Sequence, residues 1–125
     1  MSFKNVDFIN NSLQSNVSKL ALSKNPFPKE DWKEIINQIV SKKKSYQKLP
    51  TWFAKEGIYY PASISIEQTS SETTAKYKSE LISGGSLIDL TGGFGVDDYY
   101  FSKKFEHVTH CEKNVVLSEI VQYNY

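Results

Sequence analysis

The chain predicts an α/β fold, a helical amino-terminal cap over residues 1–62 followed by the start of a parallel-sheet domain over residues 63–125. Three observations carry it. Apolar residues recur at helical spacing through the first forty positions. Leu87, Ile88 and Leu90 form the short apolar run expected of a parallel strand covered on both faces. Thr91-Gly92-Gly93-Phe94-Gly95 then turns the chain sharply toward a helix, and a second apolar segment, 107–112, completes a βαβ unit.

Val6, Ile9, Leu13, Val17, Leu20 and Ala21 stand three and four apart, which predicts one amphipathic helix from Val6 to Lys24. Asn25-Pro26-Phe27-Pro28 ends it, since proline denies both the hydrogen bond and the geometry of continuation. A second helix is expected from about Glu30, with Trp32, Ile35, Ile36, Ile39 and Val40 on one face. Lys42, Lys43 and Lys44 near its end complement the helix dipole. Two such helices joined by a short loop make a helical hairpin.

Residues 46–61 are dense in aromatic rings. They read either as core or as a platform for stacked bases, with core the better supported because such rings bury roughly 150–250 Å² each. Trp52 and Tyr60 are the expected anchors between the helical cap and the α/β unit. Farther on, Ser70 or Ser71 offers an N-cap, with Glu72, Thr73 and Thr74 in the first turn. Ala75, Tyr77, Leu81 and Ile82 are expected to pack, and Gly84-Gly85 to terminate that helix.

The glycine turn carries the chemistry. A phosphate-binding P-loop needs lysine and a hydroxyl directly after its last glycine, and no lysine follows these glycines until Lys103. A dinucleotide fingerprint needs a small third residue where Gly93 and Gly95 place Asp98. A carboxylate there would also repel a pyrophosphate, which argues against NAD or FAD. What remains is a ligand with ribose and adenine but no phosphate. Glu112 ends the second apolar segment, 23 residues after Asp89, where an acidic side chain is placed to hydrogen-bond ribose hydroxyls. A plain βαβ unit with a solvent-facing Glu112 is the alternative.

Asp89-Leu90-Thr91-Gly92-Gly93-Phe94-Gly95 resembles motif I of the class I S-adenosylmethionine (SAM) methyltransferases, with Thr91 in place of the first glycine. The variant looks like that of certain ribosomal RNA methyltransferases, and Asp97 matches its final aspartate. The resemblance implies a Rossmann-like sheet, SAM as cofactor, Gly92, Gly93 and Gly95 around it, and Glu112 on the ribose. It places Asp89 nearer the methionine part, directly or by bracing the loop.

Leu49-Pro50-Thr51-Trp52, Gly57-Ile58-Tyr59-Tyr60-Pro61 and the polar stretch Glu67-Gln68-Thr69-Ser70-Ser71-Glu72 are similar to a bacterial family within that class. Its members carry a helical amino-terminal region and a THUMP-like domain after the catalytic one. There the Gln-Ala-Thr-Pro-Glu-type segment folds over the methionine end, which implies that Gln68, Thr69 and Ser70 line the pocket. An ordinary helix cap is the other reading of these three. The family's Asp-Pro catalytic motif has no counterpart here, so no catalytic residue is carried over.

With 125 residues, 39% of them apolar, and a formal charge of +1, the chain fits one globular unit or slightly less. From Ser86 to Tyr125 there are 40 residues, enough for two strands and the start of a further helix. The expectation is the front portion of a longer enzyme. No apolar run reaches membrane-span length, no secretory signal opens the chain, and the single Cys111 suits a reducing compartment. No membrane association is expected, and the cytoplasm is the default location.

His107, His110, Cys111 and Glu112 do not make a metal site, because alternating strand side chains cannot converge on one ion. The Lys42–Lys48 cluster could touch RNA phosphates, but the chain has no arginine, the residue preferred for bidentate phosphate recognition. The expectation is therefore the SAM-binding front of a methyltransferase, with RNA as acceptor on the family's company with THUMP-like domains. A second reading is a non-catalytic assembly module that forms a homodimer through the exposed edge of the second strand.

Overall fold

A computed structural model describes residues 5–125. Among the described residues ten elements follow one another: α1 (Val6–Asn11), α2 (Val17–Leu22), α3 (Trp32–Lys48), α4 (Pro50–Ala54), α5 (Ser63–Gln68), α6 (Glu72–Glu80), β1 (Gly84–Asp89), α7 (Val96–Phe101), β2 (Phe105–His110) and α8 (Val115–Asn124). The strands pair in parallel, with Leu87 opposite Val108 and Asp89 opposite His110. Asp89 and His110 therefore stand side by side at the carboxyl ends of the strands. Among the described residues no helix is long and apolar enough to cross a membrane.

The single first helix expected from Val6 to Lys24 is instead two short ones. Asn16 turns its side chain back to accept from the Lys19 amide, so it starts α2 rather than continuing α1. The second expected helix is present with Asp31 as its cap, but it runs to Lys48. Lys48, not the Lys42–Lys44 run, occupies the last turn, and its ammonium donates to the carbonyls of Ile66 (2.9 Å) and Glu67 (2.7 Å). Lys44 pairs with Glu67 and Lys42 donates to Asn10, so these lysines bind within the fold.

The main buried cluster joins Leu49, Trp52, Ile58 and Tyr60 to Ile66, Ala75, Phe94, Val96 and Ile120. One core thus runs from the helical cap through the α/β unit. Trp52 packs edge-on against Tyr99 and donates its indole N–H to the Tyr125 hydroxyl at 2.8 Å, while Tyr60 stacks on Phe94. The extended segment between α4 and α5 has no strand partner. The Gln38 side chain exchanges hydrogen bonds with the Tyr60 backbone, and Asn124 does the same with Tyr59, so two amides stand in for a ladder. A smaller cluster of Ile9, Ile35 and Ile39 holds the first helices together.

Several expected faces are open. Ala75 is buried, but Tyr77, Leu81 and Ile82 are exposed; α6 packs through Ala75 and Ser79. The helix ends at Glu80 with Leu81 as cap, and Gly84-Gly85 begins β1 instead of terminating α6. Ile88 and Leu90, expected to be covered on both faces, are 64% and 77% exposed. Two strands cannot cover both faces of a sheet whose helices pack only in part. On α8, Ile120 and Val121 are buried whereas Val115 and Val116 are not.

Candidate cofactor site

The turn after β1 is built by short hydrogen bonds. The Asp89 carboxylate accepts from the Thr91 amide at 3.0 Å, and the strand pairing continues through Cys111 N–H to Asp89 O and Gly92 N–H to Cys111 O, both 2.8 Å. Gly93 and Gly95 then take left-handed backbone angles, φ 55° and 84°, which L-residues with a Cβ adopt only under strain. Gly95 is also the residue before α7, so the same glycine makes the bend and starts the helix.

A cavity of about 530 Å³ opens beside this turn, within the range of small-molecule sites. Thr91, Gly92 and Gly93 of the turn, Asp97 and Glu112, and Gln68, Thr69 and Ser70 all line it. Two of the residues expected there do not line it. Asp89 lies behind the turn and braces Thr91, and Gly95 faces α8, where an added Cβ would press on Tyr125 and Val121.

Glu112 is held rigidly. Its Oε1 accepts from the Gly93 amide at 3.0 Å and its Oε2 from the Asn114 amide at 2.7 Å. Each oxygen keeps a second lone pair, so the carboxylate can still receive two hydroxyl donors. Ser70 donates to Asp97 at 3.2 Å, and Lys78 donates to Ser70 at 2.9 Å and to Asp97 at 3.4 Å. This link ties the 63–70 segment to the first turn of α7. Asp97 and Glu112 are the acidic residues on the cavity wall, and among the described residues no cationic side chain lines it; Lys78 offsets part of the Asp97 charge, which leaves Glu112 as the uncompensated acidic group.

Sequence reasoning missed Ile64, Ser65, Phe94, Val96, Asn114 and Leu117 on the wall. Asn114 had a signal, since it caps α8 by accepting from Leu117. The apolar members had none, because their contribution depends on how α5 and α8 lie across the turn. His110 and Glu112 do converge, but on Gly93; among the described residues no group of three or more His, Cys, Asp or Glu is gathered to hold a metal.

Asp98, one residue beyond Asp97, points the other way. It is 8% exposed, and neither carboxyl oxygen receives a hydrogen bond. Burial, then the neighbouring Asp89 and Asp97 carboxylates, push its pKa up to about 8. A protonated Asp98 can donate to Asp89, which fits its place under the turn.

Searches with protein-family models and among curated proteins give no match. Among solved structures, the chain is similar to a "putative methyltransferase" from Porphyromonas gingivalis W83, at 28% identity and a TM-score of 0.79 over 94% of this chain. The chain spans about 30% of that protein's length. Over that span it shares the fold of this methyltransferase-type protein.

Proposed function

We propose that this chain is the S-adenosylmethionine-binding portion of a class I methyltransferase. The observation that carries the reading is the meeting of Glu112, the glycine turn and the 68–70 segment around one cavity. The methyltransferase-type neighbour supports it at the level of fold.

The residues suit an adenosine ligand with a sulfonium. Glu112, fixed by two backbone amides, presents its remaining lone pairs to a pair of ribose hydroxyls. Gly93 leaves its side of the cavity open, since an added Cβ would meet nothing closer than 3.9 Å. Asp97, paired with Lys78 and accepting from Ser70, lines the same cavity as Gln68, Thr69 and Ser70, where the methionine part of the ligand would lie. When bound, SAM supplies a methyl group activated by the positive sulfur. This chain's own contribution is to hold and orient that donor, because alignment supplies much of the rate in such a transfer. An RNA acceptor is proposed on the family resemblance alone.

Calorimetry of the 125-residue chain with SAM and with S-adenosylhomocysteine tests this. Micromolar binding that weakens by about tenfold or more in Glu112→Ala is the expected result, the loss of one or two hydrogen bonds to a charged group. No heat from either ligand overturns it.

A further inference from the structure

His110 has no role in the sequence motifs, yet it touches the glycine turn at two points. Its Nε2 lies 2.9 Å from the Gly93 carbonyl oxygen. A carbonyl only accepts, so the ring must carry its proton on Nε2. The flat side of the contact is at Gly92, where an added Cβ would collide with Cγ, Cδ2 and Nε2 of the same ring. Gly92 is not in the left-handed region, so the ring, and not the backbone angle, explains why glycine is needed there.

We infer that His110 is a positioning residue for the cofactor turn, acting with Glu112 to hold Gly93 from both of its backbone groups. Glu112 takes the Gly93 N–H and His110 takes the Gly93 C=O. His110 ends β2 and Glu112 lies two residues on, where Cys111 still pairs with Asp89 and Gly92, so the extended chain turns both side chains the same way. A left-handed glycine is the most freely rotating residue in a turn, and pinning its amide and its carbonyl removes that freedom before any ligand arrives. The turn is thereby preorganised, which lowers the ordering cost of binding. The benefit to SAM binding rests on the function proposed above; the holding of Gly93 does not.

Two arms separate these. In the ligand-free protein, ¹⁵N spectra of the imidazole should show the Nε2–H form. Exchange of the Gly93 amide should speed up by roughly tenfold in His110→Leu, which keeps bulk but has no donor, and return toward wild type in His110→Gln, whose amide nitrogen can reach the same carbonyl. An Nδ1–H ring, or equal exchange in His110→Leu and wild type, overturns the inference. A thermal double-mutant cycle adds a check that needs no donor: Gly92→Ala should be markedly less destabilising when combined with His110→Ala than alone, and strict additivity would also overturn it. In the second arm, S-adenosylhomocysteine affinity should fall about five- to tenfold in His110→Leu and recover in His110→Gln. If wild type binds no ligand, the cofactor assignment fails while the spectra and the cycle still decide the role of His110. If wild type binds but His110→Leu binds equally well, the inference about His110 fails alone.

Discussion

Glu112 Oε1 accepts the Gly93 amide hydrogen at 3.0 Å across 19 residues of sequence. This one bond joins the end of β2 to the bend after β1, and it places the acidic group of the site on the same cavity as the glycines. The bond also fixes what a substitution at Gly93 must do. Gly93→Val meets little steric resistance, but at φ 55° it costs about 1–2 kcal/mol of backbone strain. The expected outcome is a lower Tm with no detectable S-adenosylhomocysteine binding, read by thermal melting and calorimetry on the same sample.

Asp98 should make stability fall as pH rises. Its folded pKa, about 8, lies above the unfolded value of 3.8. Between these values the folded chain holds a proton that the unfolded chain has released. The stabilisation is complete below the unfolded pKa and is lost as pH rises through the folded one. Tm should therefore drop by roughly 5 °C or more between pH 6 and pH 9. Asp98→Asn removes the titrating group and should flatten that slope; an equally steep slope in the variant would refute the assignment to Asp98.

Trp52 ties the cap to the α/β unit. It is buried at 3% exposure among Tyr99, Tyr100 and Tyr125. Trp52→Ala should cost about 3–5 kcal/mol, a large share of the stability typical of a small domain. Trp52→Phe keeps a ring but loses the donor to Tyr125 and should cost at least about 1 kcal/mol. Urea unfolding at fixed pH measures both.

Lys78 presents the opposite case, an exposed pair of little energetic value at a place that matters. Its contacts with Ser70 and Asp97 link the segment above the cavity to α7. Surface ion pairs contribute about 0–1 kcal/mol, so Lys78→Ala should shift Tm by only a few degrees. Binding of S-adenosylhomocysteine should weaken about threefold as the 63–70 segment loses one of its ties to α7 while the Ser70–Asp97 bond remains, a difference within reach of calorimetry.

The features legible in sequence are those set by neighbours along the chain. Leu87–Gly95 reads as strand and turn because glycine adopts without Cβ strain the φ of 84° that starts α7, and Asp31 and Ser71 cap helices through amides two or three residues away. The first helix misled because an apolar stripe continues through Leu13 and Val17 while Asn16 bonds locally and interrupts the backbone. Periodicity records which face is apolar, not whether the helix is continuous.

What sequence determined alone was the βαβ order, the bend without side chains and the acidic residue after the second strand. These follow from local backbone preference and from spacing. Only the tertiary structure decided that Asp89 braces the turn from behind, that Asp98 is buried without a hydrogen-bond donor, and that His110 and Glu112 grip the same glycine. Those facts depend on the parallel register that sets Asp89 beside His110, on α7 packing against β2, and on α8 packing against the turn and the start of α7. Contacts of that kind join residues far apart in sequence, and their energy exists only once the intervening chain has folded.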